Sequence, residues 1–232
     1  MTCEICGKSS YEHLDCNECL VARPWETRLA WTLRGILLVS IPFFYLKGQA
    51  FFAIFCFFSI VVVVIPAYLA KTSKVNLPVE LELILLWFLF TDNIFGRLFA
   101  FYENSAWFDK ALHLGNSIFI GFASFLVIYV LLYTKNLSIR PFVMGLLIFI
   151  ISLGFGALWE IFEYFADILF NQGAQGSPVM DALDDTMWDL VLDGIGGVFG
   201  GIFGPLYIHY SNRSRCRFSA FTHYISRNEP VR

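Results

Sequence analysis

Residues 141–170 read PFVMGLLIFIISLGFGALWEIFEYFADILF, and the first nineteen of them carry no charge. A helix needs about 20 apolar residues to cross a hydrocarbon core of about 30 Å. The segment is therefore a membrane span, and lipid is the solvent that its side chains face. Its far end changes character. Glu160, Glu163 and Asp167 stand at i, i+3 and i+7, which is one face of a helix. A carboxylate inside a span is costly unless it faces the bundle interior and finds a cation, a proton or a donor. Solvated acids at a helix end would explain Asp167 but fit Glu160 poorly.

Blocks of similar length lie on both sides of this segment. Spans are expected at Leu29–Leu46, Gln49–Leu69, Val79–Tyr102, Ala111–Tyr133, Pro141–Phe170 and Trp188–Tyr210. The chain has 232 residues, of which 57% are hydrophobic and 15% charged, with 26 Phe. A soluble domain of that size has too little interior for so much apolar surface. The expected fold is all-α: a polytopic membrane helical bundle of about six spans over residues 25–210. It is preceded by a small zinc-ribbon-like module at 1–24 and followed by a basic cytoplasmic tail at 211–232.

The basic residues orient the bundle. With the N-terminus inside, the cytoplasmic segments hold twelve Lys and Arg, among them Lys71, Lys74, Lys135, Arg140 and Arg213, against Lys47, Arg97 and Lys110 outside. That bias follows the positive-inside rule and predicts an inner-membrane protein with both termini in the cytoplasm. The acids run the other way. Asp92, Asp109, Glu160, Glu163, Asp185, Asp189 and Asp193 all fall in the outer half of the bundle or the outer loops.

Cys3, Cys6, Cys16 and Cys19 form C-x2-C-x9-C-x2-C. Two such knuckles match tetrahedral thiolate ligation of zinc. Two disulfides are the competing reading, but the orientation places the segment in reducing cytoplasm. All four positions are cysteine, so the expected site is closed and structural.

Four helices bring chemistry to the outer end. Asp109 and His113 are at i and i+4. Asp185, Asp189 and Asp193 are at i, i+4 and i+8. Helix capping would account for Asp185 but not for Asp193, inside the span. Asp92 and Arg97 could pair as a structural unit. Gly196, Gly197, Gly200, Gly201 and Gly204 read as a close-packing stripe, with Gly154, Gly156 and Ala157 as the facing surface.

In this order, Asp109-Lys110-x2-His113, Glu160-x2-Glu163, Asp185-Thr186-x2-Asp189 and a Gly-rich helix resemble the YjdF-like family of bacterial and archaeal inner-membrane proteins. The likeness covers roughly residues 90 to 205. The VanZ-like family has a similar Asp-Lys-x2-His start, but the Glu-x2-Gln that usually follows there is absent here. The resemblance implies the fold and the site, and it names no reaction.

Three functions are consistent with these residues. The first is a membrane-embedded metal-dependent hydrolase or transferase, in which Glu160, Glu163, Asp189, His113 and Asp109 are the expected catalytic residues and Asp185, Asp193 and Asp92 the expected cofactor-binding ones. A second divalent metal, distinct from the N-terminal zinc, would be held there. The second is a non-catalytic scaffold or sensor whose zinc module docks a cytoplasmic partner. The third is a cation or proton transporter, disfavoured because the inner halves of the spans offer few polar groups. Membrane lipid is the expected environment, and no nucleic-acid partner is expected.

Overall fold

The computed structural model describes residues 24–73, 79–134, 137–176 and 180–210. Cys3, Cys6, Cys16 and Cys19, and the basic tail from residue 211, lie outside the described residues. What is described is helical throughout its main elements: α1 (Pro24–Leu46), α2 (Ala50–Ser73), α3 (Val79–Phe90), α4 (Phe101–Asn104), α5 (Ala106–Thr134), α6 (Pro141–Phe170) and α7 (Ala182–Tyr210). Between α3 and α4 the helix continues as a π-helical stretch, Thr91–Leu98. The wider winding closes with Phe99 N–H donating to the Ile94 carbonyl, five residues back, at 2.9 Å. Ala100, at φ 57°, then turns the chain into α4.

Burial is inverted relative to a water-soluble bundle. Val39 is 71% exposed and Leu169 67%, whereas Asp189 and Asp193 are each 1% exposed. Apolar side chains outside and carboxylates inside are what lipid demands. Among the described residues, four helices are long and apolar enough to cross a membrane, at 24–46, 107–132, 141–170 and 182–206; the apolar stretch Ala50–Ile65 is shorter. The helices α1, α5 and α7 begin several residues before the spans expected from hydropathy. Their first turns are polar or aromatic and remain helical beyond the apolar block.

The molecule has two halves. In one, Leu33 and Leu37 of α1, Cys56 and Val63 of α2 and Leu86 of α3 form a buried cluster. Arg34 of α1 pairs there with Glu82 of α3 and donates to the Val63 carbonyl. The other half is α5, α6 and α7. The Gly stripe of α7 seats chiefly on α5, a correction to the expected α6 surface. A Cβ on Gly196 would stand 2.7 Å from the Leu114 carbonyl oxygen and from Ser117 Cβ. On α6, Gly154 has nothing within 4 Å, and Gly156 faces Asp193. Ser152 of α6 does meet the stripe, 2.7 Å from a Cβ built on Gly197.

This approach makes a prediction. A methyl on Gly200 would run into the Ile118 carbonyl and lie 2.8 Å from Gly121 Cα. Neither backbone can rotate away, so Gly200→Ala should destabilise the protein by about 1–3 kcal/mol. Gly154→Ala, in open space, should be neutral or stabilising, because Ala is the better helix former. Thermal melting in detergent compares the two. Equal melting temperatures would mean that α5 and α7 are not in close contact.

Candidate functional site

α5 and α7 face one another across the Gly stripe, and one helical turn above it their small residues give way to charge. Asp109, Lys110, His113 and Ser117 come from the first turns of α5; Asp185, Asp189 and Asp193 descend one face of α7. Lys110 Nζ donates to Asp185 Oδ1 and Asp189 Oδ2, each at 2.6 Å, and lies 3.3 Å from Asp109 Oδ2. One level deeper, His113 Nδ1 lies 3.3 and 3.2 Å from the two oxygens of Asp193. Ser117 Oγ donates to Asp193 Oδ1 at 2.5 Å, and Ser152 Oγ of α6 donates to the Ser117 carbonyl at 2.9 Å. Glu160 enters from α6, where Thr186 Oγ1 of α7 donates to its Oε2 at 2.7 Å.

The other imidazole nitrogen decides what this arrangement can do. An ionised carboxylate only accepts hydrogen bonds. A proton on His113 Nδ1 would point at Asp193, with Nε2 directed away from it. Around Nε2 stand Glu160 Oε1 at 3.5 Å, Asp109 Oδ1 at 3.8 Å and Asp189 Oδ1 at 4.0 Å. Glu160 Oε1 and Asp189 Oδ1 are buried, with no hydrogen-bond partner among the described residues. Three carboxylate oxygens around an imidazole lone pair repel it and one another unless a cation or a proton sits between them.

The spacing suits an ion. Two ligands each about 2.1 Å from a metal stand at most about 4.2 Å apart, and the three contacts to Nε2 fall inside that limit. Ligand atoms of Asp109, His113 and Asp189 all lie within 4.8 Å of one another. The charges point the same way. The carboxyls of Asp109, Glu160, Asp185, Asp189 and Asp193 gather around one ammonium, Lys110, and one imidazole.

Not every expected residue joins this centre. Glu163 is buried, but its Oε1 accepts from Trp159 Nε1 of its own helix at 2.9 Å. It lines a separate recess with Arg97 and Phe52. Asp92 lies in the π-helical stretch, where Tyr102 Oη donates to its Oδ1 at 2.6 Å. An Asp92–Arg97 ion pair within 4.0 Å is absent among the described residues. The Arg97 guanidinium stacks on the Phe52 and Tyr102 rings, at 4.9 and 4.4 Å from their centroids. Asp185 does not cap α7. Asp181 takes that place, accepting from the Leu183 and Asp184 amides at 3.0 Å each. Asp167 holds the following loop by accepting from the Ala174 and Gln175 amides at 2.5 and 2.9 Å.

Three partners escaped the sequence reading as site residues: Lys110, Ser117 and Thr186. Lys110 and Ser117 lie at i−3 and i+4 from His113, one helix face, so the spacing was there to be used. Thr186 reaches Glu160 only through the return of the loop, which no local spacing encodes.

Two cavities meet at Asp109. A chamber of about 290 Å³ is walled by Leu85, Leu89, Phe88, Phe119, Ile120 and Phe155, with His113, Asn116 and Asp193 at its polar end. A second cavity of about 200 Å³ is lined by Gln49, Arg97, Glu103, Ser105, Gln172 and Asp185. Asp109 and Tyr102 border both.

Comparison with known proteins gives two likenesses. Residues 29–210 match a family model described as "Predicted membrane protein (DUF2238)". An "Uncharacterized protein" of Thermotoga maritima is 31% identical over 134 residues, which is 56% of this chain. The chain spans 65% of that relative's length. No solved structure matches.

Proposed function

The chain belongs to the DUF2238 family of predicted membrane proteins, and from that starting point we propose that it is a metal-dependent hydrolase or transferase working at the acidic end of its bundle. One observation carries the reading: two buried, partnerless carboxylate oxygens, on Glu160 and Asp189, face the free nitrogen of His113. Asp109, His113 and Asp189, whose ligand atoms lie within 4.8 Å of one another, would hold a divalent ion, and Glu160, 3.5 Å from His113 Nε2, would close in as a fourth ligand. The single nitrogen among carboxylates suits manganese, magnesium or zinc. Such an ion activates water and polarises a carbonyl or phosphoryl oxygen. The Asp193–His113 contact is the outer partner that metal-binding histidines ordinarily have.

Manganese and zinc titration of the purified chain in detergent tests this. Glu160→Gln should weaken binding about tenfold or more, by removing a charged ligand. Glu103→Gln, at an exposed position, should leave it unchanged. Equal affinity of Glu160→Gln and wild type would refute the site. The second reading is a buried polar network in a scaffold or sensor, favoured by Lys110, which already bridges Asp185 and Asp189. In that case no divalent ion binds in wild type. A transporter is the least supported, since the acids and His113 collect at one end of the bundle and the Arg34–Glu82 pair at the other is already satisfied.

The finer architecture follows the same reasoning. Six spans require α2 and the joined α3 and π-helical stretch to cross as well; the apolarity of α2 and α3 supports that, while the π-helical stretch is polar and carries Asp92 and Arg97. The excess of Lys and Arg supports cytoplasmic termini in an inner membrane. The YjdF-like resemblance is compatible with the family membership. Cys3, Cys6, Cys16 and Cys19 would bind one zinc per chain. Metal analysis of the full chain should lose that zinc when Cys3 and Cys6 are changed to Ser, and keep it in Glu160→Gln. Zinc content unaffected by the Cys changes would remove the module.

A further inference from the structure

Building on the proposed metal centre, we infer that the substrate is a single-chain membrane amphiphile with a phosphate head, its chain in the apolar chamber and its head in the polar cavity beside Arg97. The two cavities differ in kind and share a border. The chamber is walled by aliphatic and aromatic side chains, and Phe155 on its wall is more than half exposed on the lipid-facing surface. Its volume of about 290 Å³ sits at the lower end of the roughly 300–1,000 Å³ usual for small-molecule sites. That admits one chain rather than two. The second cavity is polar and carries Arg97.

Charge selects the head. Among the described residues no carboxylate lies within 4.0 Å of the Arg97 guanidinium, and its stacking on Phe52 and Tyr102 leaves its edge donors available. Guanidinium is suited to phosphate oxygens by its planar fork of donors. Glu103, Asp109 and Asp185 line the same cavity and would repel an anion by themselves. Lys110 offsets Asp185, a divalent ion held by Asp109 and His113 would offset Asp109, and Glu103 is at an exposed position where water screens its charge. A phosphate between that ion and Arg97 meets positive charge on two sides. A chain leaving the bilayer gains nothing from the hydrophobic effect. The chamber therefore selects by shape, and the head supplies the affinity.

The experiment uses the full chain in phosphatidylcholine nanodiscs, with ligand retention read by native mass spectrometry. The probes are dodecyl phosphate, dodecylamine, dodecanol and inorganic phosphate, each with manganese and with chelator. The manganese-loaded protein should retain dodecyl phosphate in preference to the other two amphiphiles. Equimolar inorganic phosphate should not displace it. Arg97→Gln should lower dodecyl phosphate retention about tenfold and leave dodecanol unchanged, while Arg97→Lys keeps most of it. Ile120→Phe, which fills the chamber, should lower retention of dodecyl phosphate without altering manganese affinity. That last pair separates the two ideas: lost manganese binding in wild type defeats the metal centre, whereas intact manganese binding with no effect of Ile120→Phe defeats the amphiphile. Preference for dodecylamine, or displacement by inorganic phosphate, also overturns the inference.

Discussion

His113→Ala is expected to abolish divalent-ion binding, and Asp193→Asn to weaken it about 10–100-fold, the range found for outer partners of metal ligands. The first removes the one nitrogen that Glu160, Asp109 and Asp189 all face. The second is the more informative. Asp193 makes no contact with the ion in the proposed arrangement; it holds the Nδ1 proton at 3.2 Å and so leaves the Nε2 lone pair free. Asparagine keeps the size and an accepting oxygen but loses the charge that raises imidazole basicity. It can also present its NH2 to Nδ1 and reverse the tautomer. Manganese titration followed by melting with and without chelator checks both. Chelator should lower the melting temperature of wild type and leave His113→Ala where it was. Unaltered affinity in Asp193→Asn would mean that its contact with His113 is only packing.

Lys110→Met should be the most destabilising single change in the bundle, by roughly 3–5 kcal/mol, the usual result of stranding a buried ion-pair partner. Methionine is of similar length, so the space stays filled and charge is what changes. Asp185 and Asp189 each accept from Nζ at 2.6 Å and are almost entirely buried. Without the ammonium, two carboxyls lose their partner at once. The loss should be greatest in chelator and partly recovered with manganese, which takes over part of the neutralisation, so metal should stabilise Lys110→Met more than wild type. Loss of helical signal during titration with a denaturing detergent is the readout. If Lys110→Met unfolds with wild type in chelator, the lysine is not what holds α5 to α7 at this level.

How much of this was legible in the sequence differs by kind of information. The apolar block before Glu160 announces a membrane helix because hydrocarbon tolerates so little else over that length. The acids of α7 announce their shared face because i, i+4 and i+8 fix it. The placement of Glu163 was not legible. One turn from Glu160, it shares a face on a helical wheel, yet Trp159 on the same helix takes its oxygen, and the direction of α6 leaves it beyond the reach of His113. The seating of the Gly stripe was ambiguous for a similar reason: small residues occur on both α5 and α6, and only the packing of three helices chooses Gly121 and Ser117 over Gly154. The break after Leu98 left no signal, since the wide π-helical winding has no distinctive composition. The cysteine knuckles and the tail fall outside the described residues, so their reading rests on spacing and charge alone.

The two halves of the bundle are joined in an unequal way. The polar side-chain bonds described above each lie within α1 to α4 or within α5 to α7. Ring contacts cross between the halves: Phe55 on Trp159 and Phe162, Phe51 on Phe170, Phe88 on Phe119, and Phe101 and Tyr102 on Phe108. Aromatic stacking tolerates sliding where a salt bridge does not, because its energy changes gradually with displacement. Such a boundary would be a plane of easy shear, and the apolar chamber lies on it, walled from both sides. Parting along this plane would open the chamber sideways into the bilayer while Lys110 and His113 kept every partner they have. Under the proposed function, access from the bilayer and the metal centre would therefore depend on different contacts in the molecule.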